Sequence, residues 1–237
     1  MNAEVVRVNI LVEGQTEEAF IRDVVAPHLD SRSVFVNYRR IETSRRKEKA
    51  TGQIMYFRGG IVSYGKLRND VLRWLKEDRA AFVTTMVDVY ALPSDFPGFN
   101  DARTRPGPYD KVSILERFFR DDIGYTKFIP YLQLHEYEAL LFSNIVAIDA
   151  ALSLFNGRSR IAELQAVRDQ FVTPEHINEG ATTAPSKQLQ RIFPAYDKFF
   201  FGPLIAATIG LPKIRTECKH FNEWITQLES LSVSRGI

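Results

Sequence analysis

The chain has 237 residues, of which 45% are hydrophobic and 12% aromatic, enough for a sizeable core and against disorder of the whole chain. Its single cysteine, Cys218, excludes an internal disulfide and a cysteine-built zinc cluster, and with no membrane-length apolar run and no signal-like N-terminus the sequence predicts a soluble, cytoplasmic protein with no membrane partner. The formal net charge of +2 does not mark a nucleic-acid binder, so any such function must lie in the local distribution of charge.

The first apolar run, 5–12, reads as a buried strand and ends in Glu13-Gly14. A helix over 16–29 follows, with Glu17 and Glu18 favouring its N-terminus and Gly14 expected to supply an unusual backbone angle in the turn. A second strand is predicted over 34–42, then a long loop over 43–63. Arg39, Arg40, Arg45, Arg46, Lys47 and Lys49 crowd this junction and suit a polyanion backbone, although Glu42 and Glu48 dilute the run and a solvated surface remains the alternative. Tyr38, Tyr56, Phe57 and Tyr64 nearby are stacking platforms for bases or core residues.

Leu67, Val71, Leu72 and Leu75 give a helix over 66–77 one apolar stripe. The strand predicted over 80–87 runs directly into Asp88, and a loop over 91–108 rich in proline and glycine, with Arg103 and Arg105, follows it. A helix over 110–120 and a strand over 127–132 complete the alternation, which predicts an α/β fold with a mostly parallel sheet flanked by helices. After His135 the pattern becomes short helices punctuated by glycine and proline, the last beginning near Pro212 and carrying Phe221, Trp224, Ile225 and Leu228. The expected organisation is an α/β core over 1–133 and a helical C-terminal elaboration over 134–237 packed on it.

Glu13 and Asp88 each follow a buried strand, so in a parallel sheet both lie at the carboxyl edge, where ligands bind. Paired carboxylates there suit a hard divalent cation that keeps water for substrate phosphates. Either acid alone also reads as a turn former. Asp95, Glu136 and Glu138 stand near other element boundaries, and His135 is a candidate base or a helix cap. Lys187 and Lys198 are further phosphate-contact candidates, and Tyr90 is read as more a packing residue than a phosphate ligand.

The placement of Glu13 and Asp88 resembles the acidic layout of TOPRIM domains. Val12-Glu13-Gly14-Gln15-Thr16-Glu17, Val87-Asp88-Val89-Tyr90-Ala91-Leu92-Pro93 with Asp95-Phe96-Pro97-Gly98, and His135-Glu136-Tyr137-Glu138-Ala139-Leu140-Leu141-Phe142 look like a bacterial TOPRIM-like family that includes the nuclease effector of the PARIS anti-phage system and is related to OLD-type nucleases. Pro185-Ser186-Lys187, Ile209-Gly210-Leu211 and His220-Phe221 extend the likeness over nearly the whole chain. The resemblance implies a TOPRIM-type endonuclease dependent on Mg²⁺, with Mn²⁺ as an alternative. Its substrate would be nucleic acid, RNA with tRNA among the candidates, and it would act beside an ABC-type ATPase in antiviral defence. Homodimerisation is a further expectation. Glu13 and Asp88 would be the metal ligands, and Glu17, His135, Glu136 and Glu138 match family positions without assigned roles. One departure is Tyr90, which stands where the usual second acid of the Asp-x-Asp pair would be; this leaves open a non-catalytic nucleic-acid or protein-binding subunit.

Overall fold

The computed structural model describes residues 5–41, 45–47, 54–56, 63–177 and 183–233. In chain order it comprises β1 (Val6–Val12), α1 (Gln15–Phe20), a π-helical turn (Ile21–Val25), α2 (Ala26–Asp30), β2 (Val34–Arg40), β3 (Arg45–Lys47), β4 (Ile54–Tyr56), α3 (Tyr64–Glu77) and β5 (Phe82–Asp88). A 3-10 turn (Val89–Ala91), α4 (Phe99–Arg103), α5 (Pro108–Ile123), β6 (Phe128–Ile129) and β7 (Leu132–Gln133) follow. Past them lie a 3-10 segment (Tyr137–Ser143), α6 (Ile145–Asn156), α7 (Ile161–Arg168), a 3-10 turn (Pro174–His176), α8 (Pro185–Ile192), α9 (Lys198–Ile209), α10 (Leu211–Glu217) and α11 (Lys219–Val233). Among the described residues no single helix is long and apolar enough to cross a membrane.

The main sheet has the order β2-β1-β5-β6, with β7 also on β5, and all its pairings are parallel. This is the expected α/β architecture. β1 is central because Val6, Val8, Ile10, Leu11 and Val12 are buried from both sides, whereas β2 alternates buried and wet positions as an edge strand does. The strand expected over 127–132 is split into β6 and β7, although the register against β5 is the same for both, Val83 facing Phe128 and Val87 facing Leu132. Pro130 has no N–H to give the ladder. The Thr85 hydroxyl takes over, donating to the Tyr131 carbonyl at 2.8 Å and accepting its N–H at 3.2 Å.

The helix expected over 16–29 contains a π turn at its middle. Pro27 accounts for it, since its ring and missing N–H exclude the usual bond to the carbonyl of Asp23. The expected 43–63 loop contains an antiparallel pair in its described part, Arg45 opposite Tyr56 and Lys47 opposite Ile54.

Two apolar cores flank the sheet. On one face Leu11, Val83 and Val87 meet Leu67, Val71 and Leu75 of α3 and Val112, Leu115 and Phe119 of α5. On the other, Val8, Ile10 and Val12 meet Phe20, Tyr137, Phe142, Phe221 and Trp224, so the helices after β7 close that face. Trp224 stacks on Tyr131 with ring centroids 4.2 Å apart and donates its indole N–H to the Thr84 hydroxyl at 2.9 Å. The expected final helix is broken at Cys218 into α10 and α11, because the Glu175 carboxylate accepts the His220 and Phe221 N–H groups and starts a new helix there.

Candidate functional site

At the carboxyl edge of the sheet, Glu13 leaves β1 with its N–H bonded to the Met86 carbonyl at 3.2 Å, and its Oε2 accepts the Asp88 N–H at 3.2 Å. The side chain is thereby laid across the end of β5. Asp88 is on the same face as Thr84 and Met86, and its Oδ1 is sealed from solvent with no hydrogen-bond partner among the described residues. Glu17, in the first turn of α1, is buried, as is Glu138, whose Oε1 also lacks a partner. Glu136 is half-buried and accepts the Ser186 N–H at 3.0 Å, at the start of α8. The Tyr137 hydroxyl donates to the Gly202 carbonyl at 3.1 Å, which ties this segment to α9 and its first residue, Lys198.

Burial, then Glu13, Glu17, Glu138 and Glu136, push the Asp88 carboxyl well above its ordinary range. Burial likewise raises Glu17. Glu138 is pushed up to about 7, by burial first, against the pull of Lys198, and then by Glu136 and Glu17. Partial burial works against the Lys198 charge, but Glu138, Glu17, Asp88 and Glu13 hold its ammonium above the ordinary value. Several acids thus share one base. A hard divalent cation fits this donor set in kind, with the partnerless Asp88 Oδ1 as its best-supported ligand. Among the described residues no three His, Cys, Asp or Glu side chains form a ready-made ligand shell.

The raised carboxyls fix the sign of a pH dependence in metal-free protein. The folded chain keeps protons that the unfolded chain releases, so this stabilisation is full below the unfolded value and is lost as pH rises through about 7 for Glu138. Asp78, at about 2, loses its contribution only in stronger acid. His220, buried but held up by Glu116, tilts stability in the same direction as Glu138. The informative quantity is therefore a difference: in EDTA, Glu138→Gln should flatten the fall in melting temperature between about pH 5 and pH 8 relative to wild type. Parallel curves would remove Glu138 from the cluster.

Gly14 corrects the expected turn geometry. Its φ of −145° is extended backbone open to any residue. What glycine supplies is room, because a Cβ here would lie 2.9 Å from Glu17 Oε2. Gly14→Ala should displace the Glu17 carboxylate, lowering activity about 10-fold while changing stability by less than about 1 kcal/mol. Equal loss of activity and folding, by assay and thermal melt, would refute a local effect.

The other sequence candidates divide by position. His135 is buried with φ +58°, and its carbonyl accepts the Tyr90 N–H at 3.1 Å, but Glu136 is the residue that precedes the 3-10 segment as its cap position. Tyr90, expected to pack, is 54% exposed. Arg40 reaches Glu18 at 3.1 Å beside the site, while Arg39 pairs with Glu77 at 2.8 Å and lies over the Trp74 ring. Lys187 is exposed on α8, next to the residue that Glu136 caps. Arg45, Arg46 and Lys47 form β3, their side chains lying outside the described residues, as does Lys49 entirely. Asp95 is spent on the Tyr64 N–H at the start of α3, and Tyr64 is core, edge-on to Phe96 and Phe119.

Sequence reasoning undervalued Glu138 and Lys198. The signal for Glu138 was an acid next to the apolar run Ala139-Leu140-Leu141-Phe142, where an unpaired charge is costly. Lys198 carried no comparable local signal.

A protein-family model described as "Domain of unknown function (DUF4276)" matches residues 12–229. No curated protein matches. Three solved structures of the C-terminal region of the Xanthomonas campestris pv. campestris OLD protein, phased with mercury, platinum and iodine, are each 16% identical to this chain and cover 94% of it. The match spans 98%, 95% and 98% of those chains, with TM-scores of 0.38, 0.38 and 0.39.

Proposed function

The chain belongs to the DUF4276 family, and from the acids at its sheet edge we propose that it is a metal-dependent nuclease that hydrolyses phosphodiester bonds in nucleic acid. The observation that carries this reading is the sealed, partnerless Asp88 Oδ1 in the field of Glu13, Glu17, Glu136 and Glu138. Glu13 and Asp88 would hold Mg²⁺, or Mn²⁺ in its place. When bound, the ion would offset the excess negative charge, polarise a phosphate oxygen and acidify a water.

The chain's own residues divide the remaining work. Lys198, at the rim of the acid cluster, would face the developing charge on a non-bridging phosphate oxygen. Glu138, buried beside the proposed metal ligands, is the candidate base for the attacking water. Glu17 holds the negative field from the start of α1, and Glu136 fixes the entry to α8. Lys187 extends the positive rim toward flanking phosphates.

RNA as substrate, with tRNA among the candidates, an ABC-type ATPase partner, an effector role in anti-phage defence, homodimerisation and a cytoplasmic setting are finer parts of the proposal. They are supported by the motif resemblance alone. A rival reading, a non-catalytic nucleic-acid or protein-binding subunit, draws on the way Lys198 already answers the carboxylates without a metal. The deciding experiment offers tRNA, single-stranded RNA and duplex DNA with Mg²⁺ or Mn²⁺ to wild type, Glu13→Ala and Asp88→Ala, with and without the cognate ATPase. Cleavage lost in both folded variants supports the nuclease; no cleavage by wild type under any condition favours the binding subunit.

A further inference from the structure

Among the described residues most arginines are already engaged. Arg7 pairs with Asp78, Arg68 with Asp122, Arg215 with Glu229, and Arg39 and Arg40 with Glu77 and Glu18. Of those without a carboxylate partner, Arg79, Arg158 and Arg191 are scattered and the rest cluster in one stretch. Arg103 at the end of α4, Arg105 in the link to α5, and Arg117 and Arg120 on α5 are all exposed, and among the described residues none has a carboxylate partner.

Arg105 and Arg117 line one open groove of about 400 Å³ with Pro106, Asp110, Ser113 and Ile114. The α5 members recur at helical spacing, so they form a continuous stripe that Arg105 overhangs. Asp110 is the acid in this groove. Its carboxylate lies back over the helix start, so close that a Cβ on Gly107 would be 3.1 Å from its Oδ2, where the helix dipole favours negative charge. Asp101 and Asp121 are further exposed acids along this stretch, while Glu116 is taken up by the Leu132 N–H and His220, and Asp122 by Arg68 and Tyr64. Among the groups here without such a partner, Arg103, Arg105, Lys111, Arg117 and Arg120 outnumber Asp101, Asp110 and Asp121.

Topology puts the groove on the side of the acids. α5 ends at Ile123, just before β6, which runs parallel to β5; its N-terminus therefore returns to the edge where β5 ends in Asp88. Guanidiniums without a carboxylate partner, that of Arg117 lying over the Phe118 ring, are matched in charge and geometry to phosphodiester oxygens, and a hydroxyl such as that of Ser113 adds a neutral donor.

We propose that the α4–α5 groove is a docking track for the phosphodiester backbone of nucleic acid, with Arg105 and Arg117 as its principal phosphate contacts. The proposal rests on the nuclease reading for the direction in which the strand then runs, but the binding itself needs no metal and no cleavage.

The test is fluorescence anisotropy in EDTA with fluorescein-labelled single-stranded RNA and duplex DNA, repeated across a salt series. Arg105→Ala/Arg117→Ala should weaken binding of at least one probe about 10-fold or more at low salt, and make the slope of log K against log salt shallower by about 2. Arg7→Ala, at the opposite end of β1, should leave both quantities unchanged. Unaltered affinity and slope in the folded double variant overturns the proposal, and so does failure of wild type to bind either probe. Failure of the nuclease reading would be seen separately, as binding without cleavage when Mg²⁺ is restored.

Discussion

Asp88→Asn is expected to abolish metal-dependent cleavage while raising the melting temperature of the metal-free protein. The two effects share one cause. Asp88 sits at the end of β5 with one carboxylate oxygen sealed and partnerless, and its nearest titratable company is Glu13, Glu17, Glu138 and Glu136. Ionising it without a cation is unfavourable, which is why its carboxyl is pushed so far up. An amide of the same shape carries no charge and can donate to Glu13. Relief of one like-charge contact is worth on the order of 1 kcal/mol, or about 3 °C in a chain of this size. The amide is also a much poorer ligand for a hard cation, so cleavage should fall by about 100-fold or more, beyond the scale on which even supporting partners of a metal site act. Glu13→Gln should behave similarly in activity and less so in stability, because Glu13 already has the Asp88 N–H as a partner. Calorimetry in EDTA and a cleavage assay with Mg²⁺ read the two effects independently. Retained cleavage in folded Asp88→Asn would remove the carboxylate from the mechanism, and a lower melting temperature would make Asp88 a structural acceptor instead.

Much of this site was legible because its signals are local. An apolar run that ends in an acid announces a buried strand with a carboxylate at its end, and both β1 with Glu13 and β5 with Asp88 follow that rule. What was illegible depends on partners distant in sequence. The division of β6 from β7 turns on the Thr85 hydroxyl replacing a ladder bond at Tyr131, 46 residues away. The charge run at Arg39 and Arg40 was visible, but not that Glu77 and Glu18 take up both side chains. Gly14 was conspicuous yet misread, since a sequence cannot distinguish a glycine needed for backbone angle from one needed for the space beside Glu17. Lys198 enters the acid cluster only because the C-terminal helices fold back onto the face of the sheet opposite α3 and α5.

The same dependence on distant partners makes Glu175 the residue whose loss should cost most stability. It is completely buried, which is rare for a glutamate unless its oxygens are satisfied. Oε1 accepts the Phe221 N–H at 2.9 Å, and Oε2 accepts the His220 N–H at 3.0 Å and the Tyr109 hydroxyl at 2.8 Å. Two of these donors open α11, whose residues pack on one face of the sheet, and the third comes from α5, which packs on the other. Glu175 therefore joins the two layers beyond the β7 edge. Glu116 continues the junction, accepting the outward N–H of Leu132 at 2.8 Å and bonding His220 Nε2 at 3.0 Å, so the open edge of the sheet is capped rather than left for another strand. Glu175→Ala strands two helix N–H groups and a hydroxyl in a dry setting and removes the charge that complements the α11 dipole. The expected loss is about 3–5 kcal/mol, a fall in melting temperature of roughly 10 °C. Glu175→Gln should lose less, because its carbonyl oxygen still accepts while its NH₂ opposes one donor. Urea denaturation gives both differences. Below its melting transition Glu175→Ala should still cleave, since the Glu175 carboxylate bonds to α5 and α11 and not to the acids around Asp88. Denaturation within about 1 kcal/mol of wild type would show that the junction is held by apolar packing around Tyr131 and Trp224, with the buried carboxylate a bystander.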